Sequence, residues 1–128
     1  TVTLINQVKQ QMVDHEAGVK EIFRNISNLV EEGKKALLEK DWRRLGTLMT
    51  FNQDYLEDLG VSTEKLDDMI SAAKNSGAFG AKLSGAGGGD CMIAVIDESK
   101  RKEISEAITK VGGEVLDVTI SQDGVRLE

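Results

Sequence analysis

The stretch that most constrains this chain is a dense run of glycines between two apolar segments. The first segment ends at Leu83, four glycines fall within the next six residues, and a second apolar segment begins at Cys91. This order is typical of a strand, a loop and a strand. Glycines permit positive φ angles and leave backbone N–H groups uncovered, which suits a bound anion. Ser84 adds a hydroxyl that can donate to an anion's oxygen.

The spacing of these glycines leaves two interpretations open. The usual phosphate loops, G-x-x-x-x-G-K-[ST] and G-x-G-x-x-G, open a helix, whereas no helix is predicted directly after Gly89. The alternative is a tight turn between two buried strands. The number of glycines favours binding, because a two-residue hairpin turn needs only one or two of them.

The run KLSGAGGGDCMIAV resembles the third signature motif of the GHMP superfamily, small-molecule kinases that include galactokinases, homoserine kinases, mevalonate kinases and phosphomevalonate kinases. Residues 59–67 and 76–82 are most similar to the mevalonate kinases of archaeal type, and the resemblance extends over nearly the whole chain. It implies the C-terminal domain of an enzyme of isoprenoid biosynthesis. That enzyme uses ATP and Mg²⁺ to phosphorylate mevalonate to 5-phosphomevalonate.

The same resemblance implies which loop residues approach the phosphates and the substrate: Ser84, Gly85, Ala86, Gly87, Gly88 and Gly89. Asp90 stands where mevalonate kinases often carry another glycine and some phosphomevalonate kinases carry Asp followed by Cys. Phosphomevalonate kinase or another GHMP kinase is therefore the alternative. A carboxylate repels phosphate unless it turns away, approaches a magnesium ion or bonds the backbone, and we expect Asp90 to cap the loop.

The resemblance also implies what lies elsewhere. In the similar kinases the catalytic residues, the main phosphate loop and much of the nucleotide pocket belong to an N-terminal domain whose motifs this chain lacks. We therefore expect residues 1–128 to be a single domain with no catalytic residue of its own, inactive without that N-terminal partner. Asn52 falls where mevalonate kinases commonly have an Asn-x-Asn-His type sequence, whose histidine is missing here.

Composition limits the classes of binding partner that we expect for this chain. The net charge of −6, without a local basic cluster, argues against nucleic acid. No stretch approaches the about 18 consecutive apolar residues of a membrane helix, and no secretory signal precedes the first helix, so we expect a cytoplasmic protein. The single cysteine, Cys91, is predicted to be a buried, inert thiol. His15, the one histidine, has no partner at ligand spacing, so no metal site is predicted.

Helical periodicity covers the first part of the chain. Apolar residues recur at steps of three and four from Ile5 to Leu37, which predicts one long amphipathic helix or two joined near Gly33. The same stripe leaves a homodimer open, although an intramolecular contact is favoured. A second helix is predicted from Trp42 to about Leu59, capped by Asp41 and stopped by Gly60. A third is capped by Ser62 or Thr63 and ends at Gly77.

The period then changes to two. Strands are predicted at 78–84, 91–97, 114–121 and 125–128, with a helix at 98–111. This order predicts an α+β fold, a ferredoxin-like antiparallel sheet with helices on one face, preceded by a helical segment. Lys82, just before the loop, either neutralises phosphate or lies on the exposed sheet face, and the exposed face is favoured.

Two other classes of function are compatible with the composition and periodicity. The first is a stand-alone module that binds an anion or small metabolite through the same loop. The second is a structural partner domain held by the long N-terminal helical stripe.

Overall fold

The structure is a computed structural model that describes residues 2–88, 91–125 and 127. It is an α+β fold in which four helices precede a β-hairpin and one more helix follows it. The elements are α1 (Val2–Asp14), α2 (Glu16–Leu38), α3 (Trp42–Asp58), α4 (Glu64–Asn75), β1 (Gly80–Ser84), β2 (Cys91–Val95), a 3-10 turn (Glu98–Lys100) and α5 (Arg101–Lys110).

The predicted signals for the start and end of α3 and α4 are confirmed. The Asp41 carboxylate accepts a hydrogen bond from the Arg44 N–H at 3.1 Å, and the Thr63 hydroxyl accepts one from the Leu66 N–H at 3.3 Å. These side chains satisfy N–H groups that the first turn of a helix leaves free. Gly60 and Gly77 follow the two helices at φ of +74° and +108°, in the left-handed region that glycine favours.

The predicted break near Gly33 in the first helical region is wrong. The chain leaves helical geometry at His15, with φ −137° and ψ 50°, and Gly33 lies inside α2. A single glycine within a helix costs only about 1 kcal/mol relative to alanine, which is too little to end a helix of this length. α1 and α2 are therefore separate helices, and α1 lies against the segment that joins α3 to α4, where the Gln11 amide donates to the Leu59 carbonyl.

The strands β1 and β2 form an antiparallel pair whose two faces differ. Leu83 pairs with Met92 and Ala81 with Ala94, and these side chains belong to the hydrophobic core. Helices α4 and α5 supply most of the rest of that core, so helices cover this face of the sheet as predicted. On the opposite face Ser84 pairs with Cys91, which is exposed, so the prediction of a buried thiol is wrong.

The described residues contain two strands, not the four predicted. Residues 113–121 form no regular element, and the side chains of Val118 and Ile120 are 77% and 95% exposed. The predicted strand at 125–128 is likewise not formed at Val125 or Leu127, and its other two positions lie outside the described residues. Alternating polarity indicates which side chains would share a face, but a strand also needs a partner, which local sequence does not supply. Within the described ranges no helix is long and apolar enough to cross a membrane.

Candidate functional site

The glycine loop begins where β1 ends and turns back towards β2. Gly85, Gly87 and Gly88 have φ of +80°, +84° and +83°, which side chains with a Cβ rarely adopt. The glycines are thus required by the path of the backbone. Gly89 and Asp90, the remaining predicted loop positions, lie outside the described residues.

Gly87 and Gly88 pack against the protein itself. The Gly88 N–H donates to the Val61 carbonyl oxygen at 3.0 Å. A Cβ on Gly87 would lie 2.1 Å from that same oxygen, and a Cβ on Gly88 would lie 2.7 Å from Leu4 Cδ1. These two glycines therefore serve the docking of the loop on the segment between α3 and α4, a role that sequence reasoning did not assign to them.

The first half of the loop is open. A Cβ on Gly85 would meet nothing within 4 Å, and the side chains of Ser84 and Ala86 are half-buried. Ala86 also forms one wall of a groove whose other residues come from α1 and from the segment before α4: Leu4, Ile5, Val8, Lys9 and Val61. Ser84, Gly85 and Ala86, which we call the open half of the loop, can therefore be approached by a ligand.

Gln53, which sequence reasoning missed, is a buried polar side chain beneath the loop. It is 3% exposed, and its Oε1 accepts a hydrogen bond from the Leu83 N–H at 2.8 Å. Its Nε2 donates at 3.1 Å both to the Ser62 hydroxyl and to a carboxylate oxygen of Glu57. The burial of Gln53 could have been predicted from the sequence, because its side chain lies at helical spacing between the apolar residues of α3 that face the core.

Lys82 lies half-buried, so the prediction that it occupies an exposed sheet face is wrong. It lines a groove between α2 and α3 together with Asn52 and apolar side chains such as Leu48. Burial lowers the pKa of its ammonium group, since the charged form loses water. The Nζ atom donates to the Leu83 carbonyl at 2.6 Å.

Comparison with known families decides the relationship. The family model described as GHMP kinases C terminal matches residues 34–114, which is more than half of the chain. This chain belongs to the GHMP kinase C-terminal family.

Curated relatives of this GHMP kinase domain include archaeal enzymes named mevalonate kinase. The enzyme of Thermococcus sibiricus is 38% identical over 133 aligned residues, which cover 100% of this chain and 40% of the relative. The enzyme of Pyrococcus abyssi is 36% identical over 100% of this chain and 39% of the relative. The chain thus spans about 40% of the length of these relatives.

Solved structures agree on the GHMP kinase fold. The L. major mevalonate kinase, in complex with R-mevalonate, superposes with a TM-score of 0.80 at 27% identity, covering 85% of this chain and 34% of that chain. The Methanococcus jannaschii mevalonate kinase gives a TM-score of 0.70 at 37% identity, covering 85% of this chain and 32% of that chain. The predicted α+β fold of this family is confirmed.

The described part of this GHMP kinase domain shows no clustered ligands for a cation. His15 lies exposed at the junction of α1 and α2. Over residues 2–88, 91–125 and 127, no group of three or more His, Cys, Asp or Glu side chains is arranged to bind a metal ion.

Proposed function

We propose that this chain is the C-terminal part of a mevalonate kinase, which transfers the γ-phosphoryl group of ATP to mevalonate and forms 5-phosphomevalonate. The observation that carries the proposal is the alignment of the whole chain, at 36–39% identity, with archaeal enzymes that are all named mevalonate kinase. The alternative, phosphomevalonate kinase, rested on Asp90 followed by Cys91, and two residues weigh less than a match along the whole chain.

The loop's part in this reaction follows from what phosphoryl transfer requires. Catalysis of this transfer is mostly positioning and neutralisation of charge on the phosphates. The open half of the loop, Ser84 to Ala86, faces the phosphates with backbone N–H groups and one hydroxyl, and we assign the Ser84 hydroxyl to the transferring phosphate or to the substrate. The Gly88 N–H is bonded to Val61, so Gly87 and Gly88 support the loop.

The remaining parts of the reaction belong, in this proposal, to an N-terminal domain of the same enzyme. The chain spans about 40% of the length of its mevalonate kinase relatives. The resemblance to the GHMP kinases implies that the catalytic residues belong to the N-terminal domain. We assign the Mg²⁺ site to the same N-terminal domain. By itself the chain is expected to be inactive.

The test joins this chain to its upstream sequence and measures ADP release with ATP and magnesium. The alcohols are mevalonate, 5-phosphomevalonate, homoserine and galactose, and the 128-residue chain alone is the control. Turnover of mevalonate by the long protein, and of nothing by the short one, is the expected result. Turnover of another alcohol would show that the assigned substrate is wrong. Turnover by the short chain would contradict the assignment of the catalytic residues to the N-terminal domain. If the long protein turns over none of the four, the kinase assignment fails.

A further inference from the structure

We propose that Gln53 is a positioning residue that fixes the glycine loop at two places, Leu83 and Gly88, an inference that rests on the proposed kinase function. Gln53 lies in α3, outside the glycine loop. It acts through the residues that it holds: Leu83 at the loop's entrance and Ser62 beside the loop's docking point.

The entrance of the loop is held through the backbone of β1. The Leu83 N–H lies on the edge of β1 that is not paired with β2 and points away from β2. Gln53 Oε1 accepts its hydrogen bond at 2.8 Å. Leu83 is 1% exposed, so this N–H group is not reached by bulk water. The next residue is Ser84, the hydroxyl of the open half. The position of Ser84 therefore depends on the bond between Gln53 and Leu83.

Gly88 is held through the segment between α3 and α4. Gln53 Nε2 donates to the Ser62 hydroxyl, which in turn donates to the Asp67 carboxylate. The peptide unit between Val61 and Ser62 carries the carbonyl that accepts from the Gly88 N–H. One buried amide thus connects the two places where the loop meets the body of the domain.

The chemistry of an amide suits this position better than that of a carboxylate or an apolar side chain. Gln53 must accept from Leu83 and donate to Ser62 at the same time, and an amide does both without charge. The carboxylates of Glu57 and Asp67 flank it from α3 and α4, so a third negative charge would be repelled. An apolar replacement would leave the buried Leu83 N–H without its acceptor.

The experiment compares Gln53→Met and Gln53→Glu in the full-length enzyme with the control Gln10→Met. Gln10 is an exposed glutamine of α1 whose amide also donates to a carboxylate, that of Asp14. For Gln53→Met we expect kcat to fall about 10- to 100-fold, since displacements of about 1 Å far from the chemistry have effects of that size. The KM for ATP should change less than about threefold, because the loop acts on the phosphates during transfer. Gln10→Met should behave as the unsubstituted enzyme.

Gln53→Glu separates positioning from packing. It keeps the acceptor for Leu83 but loses the donor to Ser62 until its carboxyl group is protonated. The charged groups nearby are Glu57 on α3, Asp67 on α4 and the half-buried Lys82 on β1. We expect its kcat, as a fraction of the unsubstituted enzyme's kcat at each pH, to rise as the pH falls. A fraction that does not change with pH would contradict the role of the donor.

Amide hydrogen exchange of the same full-length variants tests the anchoring without relying on turnover. Gln53→Met should speed exchange in peptides that contain Leu83 and Gly88, while Gln10→Met should not. Unchanged exchange, or a kcat of Gln53→Met within about twofold of the unsubstituted enzyme, would overturn the inference. If the unsubstituted enzyme itself turns over no alcohol, the proposed function fails, and the exchange result alone decides whether Gln53 holds the loop.

Discussion

Ser84 is the one side chain of the open half of the loop that carries a hydrogen-bonding group. In the full-length enzyme we expect Ser84→Ala to lower kcat about 10- to 100-fold, because a hydrogen bond to a charged phosphate oxygen contributes about 1.5–3 kcal/mol. Steady-state kinetics with ATP and mevalonate measure the effect. Ser71→Ala, at an exposed position of α4, is the control. Equal kcat values for the two variants would remove Ser84 from the site.

Lys82 carries a different prediction, on stability. Its lowered pKa means that, in the alkaline range below the ordinary lysine pKa, the folded chain binds fewer protons than the unfolded chain. The free energy of unfolding should therefore rise with pH across that range. In Lys82→Met this rise should be smaller, because the group that causes it is absent. At neutral pH the substitution should raise Tm slightly, because it removes the cost of burying the charge. Thermal unfolding at several pH values, with the exposed Lys65→Met as control, measures both effects.

At the scale of elements, α3 and β1 touch backbone to backbone. A Cβ on Gly46 would lie 2.2 Å from the Phe79 carbonyl, and a Cβ on Gly80 would lie 2.1 Å from the Gly46 carbonyl oxygen. Alanine normally stabilises a helix relative to glycine, but here it has no room. We expect Gly46→Ala to lower the free energy of unfolding by about 1–3 kcal/mol, the usual range for overpacking.

Gly18→Ala is the matched control for this helix–strand contact. Gly18 also lies within a helix, and an added Cβ there would meet nothing within 4 Å. It should therefore stabilise the protein by about 0.5–1 kcal/mol. Urea unfolding of both variants gives the comparison. The same sign for the two substitutions would mean that α3 can move away from β1 at little cost.

Some of these elements could be predicted from the sequence alone. Helices α3 and α4 were predicted with their caps, because Asp41, Thr63, Gly60 and Gly77 act within a few residues of the bonds they make. The strand, loop and strand around the glycines were predicted for the same reason. The helical spacing of Gln53 indicates its burial but not its partners, Ser62 and Leu83, which are nine and thirty residues away along the chain. A loop between two strands was predicted at these glycines, but the docking of Gly87 and Gly88 depends on Val61, which is equally remote.

At the scale of the whole molecule, the family match ends at residue 114, and the last α-helix ends at Lys110. Beyond that point the apolar side chains of Leu116, Val118 and Ile120 are exposed, contrary to the strand that their alternation predicts. Because these side chains bury little surface, a chain ending at residue 113 should have a Tm within a few degrees of the 128-residue chain. Calorimetry measures it.

A second truncation, ending at residue 103, is the control in which core residues are removed. It removes Ile104 and Ile108, which are 3% and 8% exposed and belong to the core. Burial of each such side chain contributes about 1.5–3 kcal/mol, so this shorter chain should unfold or lose most of its stability. A large loss already at residue 113 would instead support the predicted strands.

The Val61 carbonyl, on which the loop docks, has a consequence for how this domain tolerates change. The contact uses a backbone atom, so replacing the Val61 side chain leaves the oxygen in place. What moves that oxygen is the number of residues between α3 and α4. The attachment of the loop is therefore encoded in the length of this connector, and an insertion or deletion there shifts the loop even when every glycine is retained.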